Sequence, residues 1–476
     1  MTTQYLALWA PMVAYASFVL FAFISVIWKR EAVTAEGYSV GNRGFSAVAL
    51  FLTIAATMIG PSASIGAVEK VSTEGFFYVL LFCMLPVQLF VFGEFFVEKL
   101  HHLGRDCRTI GDIIGKTYGK LAQFFTGLAT LGQSMAFSGV LCLGGAKVLD
   151  AIYGVPIEVG TIGIAVFTAF YTMVGGLPAV IKTDKIQFFG LVILLLLAFI
   201  ALPSMPHGSF SKTDWFMLSS RAMSSPDILA LGVAFGLGEA FIPIYAVRGI
   251  IGVNGRTVRL AFVAAAIFGV TWFLVLGVFG LSYTANIGGP SQSGIVLLDY
   301  VLYPFRDEVV RALIKGSFAV ALMGIVMSTF DSVLSAGSVS VSRDLIRPFV
   351  PVTDEDEFTI SKVSVLAIAV FGVGFTLFSK DIVEILFWGY TFWAPTIVAP
   401  LGYLIYKSGR VRWPYSGPSA MICGAIGSFL GQAYVFPVVQ IPPIITGFII
   451  SCIALALCEG MGTVLPRSMH SKFSRP

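Results

Sequence analysis

Apolar residues gather along the chain in runs of roughly 20, the length at which a helix crosses a bilayer. The runs lie at 6–28, 45–68, 77–97, 121–146, 157–176, 185–202, 228–250, 260–284, 313–342, 362–379, 382–406, 417–437 and 442–463. The pattern predicts an all-α polytopic membrane protein with about 13 transmembrane helices. The first run begins close to Met1 without a basic segment before it and is followed by Lys29 and Arg30, so it reads as an anchor with its N-terminus outside rather than a cleaved leader. An odd number of spans then places the C-terminus inside. Sorting the 30 lysines and arginines by side gives 22 inside, Arg248 and Arg343 among them, and 8 outside. That bias is the positive-inside signature, and dropping one span would invert every later loop.

Composition strengthens this picture. The chain is 57% hydrophobic and 12% charged, against about a quarter charged in soluble domains, which excludes a soluble fold and disorder. A net charge of +4 diluted over apolar runs excludes nucleic-acid binding. The longest connecting segments, 203–227 and 285–312, are too short for an appended soluble domain. The six cysteines form no CxxC spacing and the four histidines fall in connecting segments, so neither a zinc site nor a histidine-based enzyme is indicated. Gly115-Lys116-Thr117 is not a phosphate loop, because Ile110 stands where that motif needs glycine. No cofactor and no ATP-driven pump is expected.

Two runs carry helix breakers near mid-membrane: Gly60-Pro61 in the second, and Gly236-Leu237-Gly238 with Pro243 in the seventh. Interrupted helices in corresponding positions of two halves point to a secondary transporter with inverted repeats, although glycine and proline are frequent in membrane helices generally. The ionisable residues well inside runs are Glu239, Asp331 and Asp184, each costing about 2.5–3.5 kcal/mol to insert unless paired. Around Asp331, the hydroxyls of Ser328, Thr329 and Ser332 make an oxygen-rich patch suited to a hard cation. The same residues also suit a helix that packs through small side chains.

The stretch Gly175-Gly176-Leu177-Pro178-Ala179-Val180-Ile181-Lys182-Thr183-Asp184-Lys185-Ile186-Gln187 resembles the GG(L)xAVxxTDxxQ signature of the sodium/solute symporter family. Met327-Ser328-Thr329-Phe330-Asp331-Ser332, followed by Ser342-Arg343-Asp344, resembles its MSTxDS…SRD stretch. The resemblance is to the bacterial branch and implies a leucine-transporter-like core of two inverted five-helix repeats with broken first and sixth core helices. Here these would be 45–202 and 228–406, with a helix and linker in 1–44, an external loop in 203–227, and two helices and a tail in 407–476. It implies a main sodium site of carbonyls from Ala56, Ile59 and Ile325 and hydroxyls from Ser328 and Thr329. A second sodium between Asp184, Asp331 and Ser332 is implied for some members.

On the substrate side the chain departs from members that can be compared. Where the proline-transporting branch has an aspartate, a tyrosine, a tryptophan and a tyrosine, this sequence has Met58, Met135, Phe235 and Glu239. The sugar branch has a lysine in its seventh core helix, whereas 260–284 carries no charge. A pocket of Met58, Gly60, Met135, Phe235, Glu239 and Trp388 would favour an amine-bearing or cationic solute, through its acid and its aromatic faces. The expectation is therefore a sodium-coupled symporter of a small organic solute in a bacterial cell membrane, a monomer or weak oligomer surrounded by lipid. Proton coupling through Glu239 or Asp331, and a transporter-like sensor acting through a partner, are the alternatives.

Overall fold

The computed structural model describes residues 2–29, 34–60, 62–204, 232, 236, 238–287, 291–379, 382–435 and 441–464. In chain order the helices are α1 (Thr2–Trp28), α2 (Ala35–Val40), α3 (Ala47–Met58), α4 (Ala67–Glu74), α5 (Phe77–Phe95) and α6 (Val97–Leu103). They continue as α7 (Ile110–Tyr118), α8 (Lys120–Tyr153), α9 (Ile157–Ala201), α10 (Pro243–Ile250), α11 (Gly255–Asn286) and α12 (Val296–Leu302). The last are α13 (Glu308–Ser340), α14 (Asp354–Phe378), α15 (Ile382–Tyr406), α16 (Ser416–Leu430) and α17 (Pro443–Val464).

Several starts are written into the sequence as side-chain caps, each worth about 1 kcal/mol. Ser46 accepts from the Ala49 amide at 3.3 Å to open α3, Asn254 from Thr257 at 2.8 Å to open α11, and Asp307 from Val309 at 2.9 Å to open α13. Thr353 and Asp356 cap each other reciprocally at the start of α14.

Helix covers every predicted apolar run, although 228–250 is described mainly in its second half, and its first residues and Pro61 lie outside the described residues. By length and apolarity, eight described helices qualify as spans, and Ala47–Met58 with Ala63–Thr73, bent by 71°, makes a ninth. The expected runs 157–176 and 185–202 are joined in α9, whose 45 residues would reach about 68 Å if straight, over twice a hydrocarbon core. The helix breaks at Gly176, where φ is 51° and ψ is −153°. The predicted loop 285–312 also holds a short helix, α12.

Gly176 is a position where the fold needs a missing side chain. Its φ is positive, and a Cβ there would lie 2.6 Å from the Tyr38 carbonyl oxygen and as close as 2.5 Å to the Tyr38 ring. Gly176→Ala combines left-handed strain with overpacking and is expected to destabilise the protein by about 2–5 kcal/mol. Thermal melting of the purified variant checks this; a melting temperature equal to the parent's would show that the break tolerates a side chain.

Two connections organise the ends of the bundle. A single bridge ties Phe45 to Gly252, with the Val253 amide donating to the Phe45 carbonyl at 3.2 Å, so the approach to α3 is fixed to the end of α10. Arg343, from the second family motif, bonds Asp112 of α7 at 2.8 Å and Glu357 of α14 at 3.1 Å, while Arg108 reaches the other Glu357 oxygen at 2.7 Å.

Candidate functional site

α3 ends at Met58 because Ile59 leaves helical geometry (φ −93°, ψ 84°) and a π-turn follows over Ser62–Gly66. Carbonyls near such a break lose their intrahelical amide partners and are free for other donors or a cation. α13 passes beside this end and offers the oxygens to complete a shell. Ser328 Oγ lies 3.0 Å from the Ala56 carbonyl oxygen and 2.9 Å from that of Ile325. Thr329 Oγ1 lies 3.1 Å from the Thr57 carbonyl oxygen and 3.3 Å from that of Ile325. Ala56, Ile325, Ser328 and Thr329 are thus brought into one buried cluster, with Ile59 buried at the helix end. The cluster consists of neutral carbonyl and hydroxyl oxygens, which match a hard cation better than a soft one. Among the described residues, no group of three or more His, Cys, Asp or Glu is arranged to hold a metal ion.

The acidic residues of the second predicted cluster find protein partners. Asp331 accepts from Tyr171 at 2.7 Å and from Thr183 at 3.1 Å. Asp184 accepts from Thr53 and pairs with Arg248 at 3.2 Å. Ser332 donates to the Ser328 carbonyl at 2.8 Å and accepts from Arg248 at 2.7 Å. Arg248, counted above among the inside charges, is buried: its side chain is 2% exposed, on α10, against Asp184. The physical reason is Asp184, a fully buried carboxylate that needs a counter-charge. Two signals pointed there in the sequence, since Arg248 falls inside an apolar run and Asp184 lacked a named partner.

Next to the cation cluster lies a cavity of about 70 Å³ bounded by the broken ends of α3 and of the seventh run. Met58, Gly60 and Glu239 line it, as do Thr57 and Thr329 from the oxygen cluster. Its aromatic walls are ordered in pairs: Phe82 stacks on Phe273 with centroids 5.5 Å apart, and Phe137 meets Tyr390 edge-on at 5.4 Å. Gln88 of α5 accepts from the Ala240 amide at 3.1 Å and so fixes the break beside Glu239. Glu239 is 5% exposed, and its Oε2 has no hydrogen-bond partner. No lysine or arginine is among the described lining residues.

Two predicted pocket residues are not brought to this cavity. Trp388 is 40% exposed and packs against Phe375 with centroids 6.1 Å apart, while Met135 is half-buried outside the lining. Phe235 lies outside the described residues. Phe137 and Tyr390, which the sequence reading missed, line the cavity from the same two helices.

The model of the Sodium:solute symporter family matches residues 38–388. The chain belongs to this family. Among curated relatives of this symporter, the sodium/pantothenate symporter of Haemophilus influenzae is 26% identical over 371 residues, covering 74% of each chain. That of Escherichia coli K12 is 24% identical over 398 residues, covering 79% of this chain and 80% of its own. A sodium/proline symporter of Staphylococcus aureus is 25% identical over 339 residues, covering 65% and 63%. Among solved structures, a Na+-coupled sialic acid symporter in a substrate-bound outward-open state shares the fold, with a TM-score of 0.70 at 15% identity over 98% of both chains. A nucleobase-cation-symport-1 family transporter in a closed conformation follows at 0.60 and 11%, covering 90% of this chain and 95% of that one.

The symporter is thus a multi-pass membrane protein that carries a small organic solute with sodium as the coupling ion, and it is a transporter rather than an enzyme. Sodium coupling takes the place of the proton-coupled and sensor alternatives.

Proposed function

We propose that the symporter binds its coupling sodium at Ala56, Ile59, Ile325, Ser328 and Thr329, and an amine-bearing or cationic solute in the adjacent cavity, with Glu239 as its counter-charge. The observation that carries the solute reading is the unpartnered, buried Glu239 oxygen in a cavity whose described lining holds no cation. Buried acids are paired in stable structures, and a protonated amine supplies both charge and donors. Aromatic faces around it add cation–π attraction. The pantothenate- and proline-transporting relatives are too distant in sequence to assign a substrate here. The 70 Å³ cavity has room for only a few waters, well under the about 300–1,000 Å³ of small-molecule sites, so solute entry requires the walls to part. Rocking of one repeat against the other provides that opening.

The two repeats are proposed at 45–202 and 228–406, with the N-terminus outside and the C-terminus inside, on the strength of the basic-residue bias. A second sodium at Asp184, Asp331 and Ser332 is the reading the geometry favours less, because the Arg248 guanidinium already stands between Asp184 and Ser332.

The test is the melting temperature of the purified symporter in NaCl against KCl, with amino acids, amines and carboxylates added to each. A rise specific to sodium, increased further by amine-bearing solutes, is the expected result, since a ligand that binds only the folded state stabilises it. Choline cannot serve as the control cation, being itself a candidate solute. Further stabilisation by carboxylates alone would overturn the role given to Glu239.

A further inference from the structure

Arg248 does more than neutralise Asp184. Its Nη2 lies 2.7 Å from Thr53 Oγ1, 2.9 Å from Thr57 Oγ1, 3.2 Å from Asp184 Oδ2 and 2.7 Å from Ser332 Oγ. Nε adds a second bond to Thr53 at 2.9 Å. One guanidinium on α10 is therefore anchored to α3, α9 and α13 together. Two of these anchors also touch the cation cluster, since Thr57 Oγ1 lies 3.4 Å and Ser332 Oγ 2.8 Å from the Ser328 carbonyl oxygen.

Beside Arg248 lies a narrow cleft of about 10 Å³ along α13. Ser39, Ser332 and Ser335 line it among apolar side chains such as Leu177 and Val247, and so does Arg108, which pairs with the exposed Asp354 at 3.6 Å. Ser328, Ser332, Ser335 and Val339 recur at intervals of four, three and four residues, which sets them on one face of the helix. Hydroxyls thus run along one face of α13 from the cation cluster to a cleft that Arg108 also borders, and the guanidinium, bonded to Ser332, borders that cleft as well.

We propose that Arg248 gates sodium release: its fixed charge closes the way from Ser328, along the α13 hydroxyls and the cleft, to Arg108 until its anchorage to α3, α9 and α13 parts. Arginine stays charged in proteins, so this barrier is lowered only by moving the side chain and not by losing a proton. A fixed cation on an ion path is an effective barrier to other cations. Because Thr57 and Ser332 contact both the guanidinium and the Ser328 carbonyl, a change at the sodium position reaches the gate through one hydroxyl. The inference rests on the sodium site proposed above.

The experiment is solute-free efflux of sodium-22 from liposomes holding the full-length symporter. The parent is expected to be tight, Arg248→Gln to leak at least about tenfold faster, and Arg248→Lys to fall between, because lysine keeps the charge but is shorter and lacks the Nε bond to Thr53. Sodium-specific stabilisation measured on the same samples separates the two readings. If the parent lacks it, the sodium site and the gate fall together; if Arg248→Gln retains it and stays tight, the gate alone is overturned. Should Arg248→Gln fail to fold, Thr53→Val decides, since it removes two bonds from the guanidinium with little change of shape. A leak then supports the gate and tight vesicles overturn it.

Discussion

Replacing Ser328 by alanine is expected to raise the sodium concentration needed for half-maximal stabilisation by about 10- to 100-fold. The serine hydroxyl lies 3.0 Å and 2.9 Å from two carbonyl oxygens on different helices, so its loss removes one oxygen from the cation's shell and one tie between α3 and α13. Interactions of a hydroxyl with a charged partner contribute about 1.5–3 kcal/mol, which is the source of that range. Without sodium the variant should melt only modestly lower, because the two carbonyls lose a donor worth about 1 kcal/mol. Ser338→Ala is the matched control. Its hydroxyl bonds the Ser335 carbonyl of its own helix at 2.9 Å, and sodium dependence should survive its removal. Melting curves across a sodium titration at constant ionic strength check both, and an unchanged half-saturation in Ser328→Ala would remove the cluster from consideration as the sodium site.

The second large effect is expected from Glu239→Gln. The amide keeps the size of the side chain, but it cannot offer a negative charge to the cavity. Charge-assisted hydrogen bonds are roughly twice as strong as neutral ones, so stabilisation by the best amine-bearing solute should require about 10- to 100-fold more solute, while the response to sodium alone stays as in the parent. Uptake of that solute into proteoliposomes would show the same loss. Equal affinity in the parent and the variant would mean that Glu239 meets the solute as a neutral group, or not at all.

What the sequence made legible, and what it left hidden, separates along a physical line. Membrane-spanning helices satisfy their own backbone, so apolar runs locate them without knowledge of neighbours. Breaks at Gly60 and in the seventh run, and the hydroxyl pair Ser328 and Thr329, were visible for the same reason, as local departures from an apolar helix. Rotation about the helix axis was not visible, because it depends on packing against other helices. Met135 and Trp388 were each assigned to the pocket, whereas the cavity is lined by Phe137, Val140 and Leu141 from the first of those helices and by Tyr390, two positions further on, from the second. Two residues turn a helix by about 200°, so a shift of that size exchanges the inner face for the outer one. Arg248 was hidden for a different reason. A single arginine near the end of an apolar run looks like a membrane-edge residue, and only the three-dimensional approach of α9 shows that it answers Asp184.

Thr329 belongs to both compartments, with its hydroxyl in the cation cluster and its side chain on the cavity wall. One torsion angle is therefore read by two ligands. A rotamer set by sodium fixes which atoms the cavity presents, and a solute that presses on that wall fixes where the hydroxyl points. Thermodynamic reciprocity then requires that whatever factor sodium adds to solute affinity, the solute returns to sodium. The exchange of free energy between an ion gradient and a solute gradient, which is all that symport consists of, can pass through a side chain of three heavy atoms.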